Sequence, residues 1–124
     1  MYGESSWPIV WEELGENLLR QPACPQHTQF PHVRTLTQHT INDMVAVRDE
    51  GITIRSHRTA HEDFIPAGRF RAWWEFLQGH RVASLDTRSP SNPHPWRSRI
   101  VGAILVTCLP HRMRRRDSNT IELI

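Results

Sequence analysis

The chain has 124 residues, 38% hydrophobic and 23% charged, with a formal net charge of +2. That length suits one domain with its own core; the composition excludes collagen, a long coiled coil and a disulfide scaffold, and no run of about 18 apolar residues could form a transmembrane helix. Cys24 and Cys108 are too few for a disulfide framework, and Met1-Tyr2-Gly3-Glu4-Ser5 lacks the basic-then-apolar pattern of a signal peptide, so a cytoplasmic protein with no membrane partner is expected.

In chain order, apolar Trp7, Trp11, Leu14 and Leu18 share one helical face. They predict a helix over about 8–20, with Ser6 as cap and Pro8 in the first turn. Pro22, Pro25 and Pro31 then predict an extended connector over 21–33. Residues 1–35 thus read as an N-terminal helix and Pro-rich connector, ahead of a single α+β domain over 36–124.

Met44-Val45-Ala46-Val47 and Ile52-Thr53-Ile54-Arg55 are short, β-branched runs around the turn Arg48-Asp49-Glu50-Gly51. They predict a hairpin, which a turn near Arg58-Thr59-Ala60-His61 extends into a third strand, Glu62-Asp63-Phe64-Ile65. Val45, Val47, Ile52 and Ile54 are expected on the face that needs a cover. Phe70, Trp73, Trp74 and Leu77 supply one, at i, i+3, i+4 and i+7 of a helix from Pro66 to about Gln78, ended by Gly79. A Ser-, Asn- and Pro-rich loop follows over 80–95. A second helix over about 96–109 is apolar on every side and therefore central, and Pro110 ends it. Thr120 to Ile124 alternates and reads as a strand, with Met113–Arg115 as its hairpin partner. The fold class is α+β: a small antiparallel sheet of three to five strands covered by two helices, plus the N-terminal helix.

Charge is unevenly spread. Residues 1–62 carry five Arg and eight acids, a net −3, whereas residues 63–124 carry ten Arg and five acids, a net +5. The C-terminal half is therefore expected to meet an anion. All fifteen basic residues are Arg. Guanidinium forks suit phosphate, although GC-rich codon usage, as in a bacterium or its phage, gives the same bias.

Two arginine groups stand out. Arg97 and Arg99 follow Trp96 at the start of the 96–109 helix, where the helix dipole disfavours cations unless an anion binds. Arg112, Arg114, Arg115 and Arg116 fall on the C-terminal hairpin. That hairpin is similar to the basic wing of winged-helix domains, which tracks the DNA backbone. The 100–109 segment, however, lacks the polar face of a recognition helix, and a solvated edge strand explains the same charges. Arg69 and Arg71 on the 67–78 helix are second-choice phosphate contacts, and Trp96 adds stacking.

The leading expectation is a non-enzymatic nucleic-acid-binding module, DNA before RNA, with no cofactor. The alternative is a protein-interaction subunit or inhibitor within a larger assembly, anchored by Trp7, Trp11 or Trp74. A further alternative is a metal-dependent nuclease that gathers His57, His61, Asp63 and Asn92. Cys24, His27 and His32 have ligand-like spacing, but without a second Cys pair they do not form a zinc site. No nucleotide-binding or hydrolase motif is present, so no catalytic or metal residue is assigned.

Overall fold

A computed structural model describes residues 6–23, 29–36 and 38–124. Helix α1 spans Trp7–Leu19. The backbone carbonyl of Ser6 accepts from the N–H groups of Ile9 and Val10, while its hydroxyl makes no capping bond. The helix turns Val10, Leu14 and Leu18 into the core; Trp7 and Trp11 are half-buried at the edge of that stripe. The buried face is therefore rotated from the one expected, because the two indoles stack on each other at 5.6 Å instead of both pointing inward.

Strands β1 (His32–Arg34), β2 (Ile41–Arg48), β3 (Gly51–Ser56) and β4 (Glu62–Pro66) form an antiparallel sheet in that order. The predicted connector over 21–33 thus ends in a strand, and its residues 24–28 lie outside the described residues. Met44 pairs with Ile54 and Ala46 with Thr53, so Val45 is the extra residue of a bulge. A bulge inverts the facing of everything beyond it. Met44, Ile52, Ile54 and Ile65 reach the core and Val47 packs against it, but Val45, expected there, does not.

Gly51 is fixed by close approach. A Cβ on it would lie 2.7 Å from the Phe64 ring and 2.9 Å from Pro66 Cα, in a strand pair where Gly51 faces Pro66.

Helix α2 spans Ala67–His80 and buries Phe70, Trp73, Trp74 and Leu77. Gly79 does not end it. The helix runs on to His80, whose ring stacks on Phe76 at 4.0 Å. Arg81 closes it in the left-handed conformation, φ 67°, donating its N–H to the Leu77 carbonyl at 2.7 Å. Strand β5 (Val82–Ser84) follows inside the segment expected to be all loop. Helix α3 (Ser98–Cys108) is buried along most of its length, and β6 (Met113–Asp117) and β7 (Thr120–Leu123) form the expected C-terminal hairpin.

The second sheet has the order β5-β7-β6. The architecture is α+β, with its strands divided between a four-stranded and a three-stranded sheet. Helix α2 bridges the two, touching β3 and β4 on one side and β5 and β7 on the other, while α3 packs on α1, β1 and β6. One continuous core results. It takes Val10, Leu14 and Leu18 from α1 and Val33 from β1 as well as residues from the rest of the chain. Among the described residues no helix is long and apolar enough to cross a membrane.

Candidate nucleic-acid interface

The start of α3 gathers the first arginine group. Arg97 is the N-cap in the left-handed conformation, φ 58°, and no side chain caps the helix. Its guanidinium pairs with Asp63 on β4 and lies 5.5 Å from the centroid of the Trp96 indole. Arg69 of α2 sits 4.9 Å from the same centroid and donates Nη1 to the Trp96 carbonyl at 3.3 Å. Trp96 itself is 40% exposed. The Trp96 N–H donates to His94 Nδ1 at 3.4 Å, which requires that nitrogen unprotonated. Burial, then the Arg69 charge, holds the His94 pKa below its ordinary value. Sequence positions 69, 94, 96 and 97 thus form one cationic, aromatic cluster.

Beside this cluster a cleft of about 400 Å³ opens between α3 and the four-stranded sheet. Arg97 and Arg99 line it from α3, and Arg58 lines it from the β3–β4 turn. No Asp or Glu lines it. Thr35, Gln38 and Thr40 border it from the β1–β2 loop, Asn42 and Ile54 form part of its wall, and Thr87 and Pro95 come from the loop after β5. Arg99 Nη1 donates to Asn119 Oδ1 at 3.1 Å, so this cation is oriented by a neutral amide of the β6–β7 turn.

Backbone strain concentrates at the same place. Among the described residues the non-glycine positions with positive φ are His39, Ala60, Arg81 and Arg97. Three of them, all but Arg81, belong to loops that border the cleft. Each costs on the order of 1 kcal/mol and persists only where surrounding structure holds it.

The second arginine group divides. Arg112 donates Nε and Nη2 to Glu13 and is 20% exposed on its side chain, so it is committed to α1. Arg114 and Arg116 both face Glu122 on β7, at 2.7 and 3.8 Å. Arg115 donates Nε to the Asp117 carbonyl at 3.1 Å. All three are exposed on β6, an edge strand, where such charges also block pairing with another sheet. Asp117 has its pKa held below the usual carboxylate range, first by the Asn119 N–H and the Thr120 side chain, and then by Arg116 and Arg115. Arg71 forms an i,i+4 pair with Glu75 at 2.9 Å, away from either group.

The expected protein-anchor residues are built into the fold. Trp74, offered as an anchor in the protein-interaction alternative, is 4% exposed, with Arg112 6.0 Å from its ring centroid. Trp73 and Trp74 are adjacent and point about 100° apart, yet both are buried because α2 touches strands of both sheets. Trp11 packs on Phe70 at 5.5 Å as well as on Trp7. The residues of the nuclease alternative are dispersed. His57 bonds buried Asp43 at 2.9 Å, Asp63 holds Arg97, and Asn92 Nδ2 donates to the Asp86 carbonyl at 3.2 Å. His32 is bonded through Nδ1 to the Pro22 carbonyl at 2.6 Å, while Cys24 and His27 lie outside the described residues. No three His, Cys, Asp or Glu converge among the described residues.

Arg58 is the residue that sequence reasoning passed over. It sits in a turn about forty positions before α3, and only the tertiary fold brings it to Arg97 and Arg99. Compared with known protein families, curated proteins and solved structures, the chain matches none.

Proposed function

We propose that this chain is a nucleic-acid-binding module, cytoplasmic and without enzymatic activity, that grips phosphates through the arginines of the α3 cleft. The observation that carries the reading is the cleft lined by Arg58, Arg97 and Arg99 without a single carboxylate. Arg97 is held by Asp63 and Arg99 by Asn119, so guanidinium groups are fixed at the cleft, and an anion entering it gains from their combined positive charge. Guanidinium is the group best shaped for phosphate oxygens. Arg69 and Trp96 extend the surface on one side. On the other, Arg99 reaches the β6–β7 turn, beyond which Arg114, Arg115 and Arg116 add charge that Glu122 only partly offsets.

Charge reversal tests it. Arg58→Glu with Arg99→Glu is expected to weaken binding of a labelled oligonucleotide by more than about tenfold, because each lost phosphate contact acts on every sequence alike. Arg114→Glu with Arg115→Glu is expected to weaken it less. Full affinity in the first pair would reject the cleft as the interface.

A further inference from the structure

We infer that the cleft accepts one unpaired nucleotide, so that the protein binds single strands in preference to duplex. This deepens the nucleic-acid reading and rests on it.

Gripping a backbone phosphate needs only a surface patch of cations. Here the arginines stand around a hollow of about 400 Å³, within the range of small-ligand pockets. Its lining is not uniformly polar. Ile54 and Ile100, both almost fully buried, stand at its floor and give it a narrow apolar edge. Thr35, Asn42 and Ser98 add hydroxyl and amide groups, and each is more than nine-tenths buried.

That concentration is the decisive point. Buried polar side chains among the described residues are Thr35, Asn42, Asp43 and Ser98, and all but Asp43 line this one cavity. Their existing bonds hold them in place. Thr35 Oγ1 accepts from the Thr40 N–H at 2.9 Å, Asn42 Nδ2 donates to the Thr40 carbonyl at 3.3 Å, and Ser98 Oγ donates to the Leu85 carbonyl at 3.0 Å. A carboxamide such as Asn42 can exchange paired hydrogen bonds with a base edge. A narrow apolar edge, fixed amides and hydroxyls, and surrounding guanidinium groups together match base, sugar and phosphate. In duplex DNA the base is stacked and paired, and extracting it costs energy that an unpaired strand does not spend.

The test is fluorescence anisotropy at low salt with a 20-nucleotide single strand and the duplex of the same sequence. The single strand is expected to bind at least tenfold more tightly. A nucleoside monophosphate is expected to compete, and inorganic phosphate at the same concentration is not. Thr87→Trp, an exposed lining position, fills the hollow without removing a cation and is expected to bring single-strand affinity down to the duplex level. Gln38→Trp, on another loop of the lining, does the same, so a folding defect in one variant leaves the other to decide. Equal affinities, a preference for duplex, competition by inorganic phosphate, or single-strand binding untouched by either Trp would overturn nucleotide insertion and leave phosphate contact standing. Absence of binding to both oligonucleotides would overturn both readings.

Discussion

Arg112 donates Nε and Nη2 to one carboxylate oxygen of Glu13, at 3.2 and 3.1 Å, and so ties the chain just before β6 to α1. The two residues stand ninety-nine positions apart. The contact separates an arginine turned to the body of the fold from arginines that line the cleft. Arg112 belongs to the first kind, whereas Arg58, Arg97 and Arg99 open on the cleft.

Replacing Arg112 should therefore act on stability and not on binding. Arg112→Ala is expected to lower the unfolding free energy by about 1–2 kcal/mol, the usual cost of a half-buried charge-assisted hydrogen bond. Urea denaturation of Arg112→Ala, Glu13→Gln and the double variant should show strong non-additivity. Additive losses would mean that the pair contributes nothing as a pair. Oligonucleotide affinity of Arg112→Ala should stay within about twofold of the parent, as binding and stability are separate readouts here.

Gly51→Ala should be among the most damaging single-methyl changes in the chain. The new Cβ would press on the Phe64 ring and on the backbone of Ile65 and Pro66, at contacts that cannot all give way. A loss of roughly 2–3 kcal/mol is expected, as for overpacked core sites. Thermal melting would register it, and a melting temperature equal to the parent's would show that β4 yields freely.

Cys108 should report global unfolding. It is fully buried in α3, and burial pushes its thiol up to about 12 from an ordinary 9.0. The folded chain therefore holds this proton where the unfolded chain releases it. Stability from this group is constant below about pH 9 and falls as pH rises from 9 towards 12. In a Cys24→Ser background, a thiol reagent at mildly alkaline pH should leave the native protein unmodified and label Cys108 once denaturant unfolds it. Rapid labelling of the native protein would contradict the burial.

Local signals carried much of the fold. The stripe Phe70, Trp73, Trp74 and Leu77 sits on α2 as periodicity requires, and the turn before Gly51 and the apolar α3 follow from composition alone. What escaped was set by tertiary contact. The bulge at Val45 answers to the pairing with β3, which leaves no trace in β2 itself. Strand β5 is three residues long and exists because β7 accepts it. Gly79 reads as a helix stop, yet Arg81 takes the left-handed position at the junction with β5. The arginines of the cleft show the same division. Arg97 and Arg99 were legible beside the start of a helix, whereas Arg58 is one turn residue among several until the β3–β4 turn is placed against α3.

The salt dependence of oligonucleotide binding tests the central claim most directly. Three or four phosphate contacts on a single strand give a slope of log K against log salt of about −2 to −3, so affinity should fall roughly 20- to 50-fold between 50 and 200 mM salt. Reversing Arg58 and Arg99 together should flatten that slope by about 1.4. A slope near zero, or no binding at 50 mM, would contradict the account.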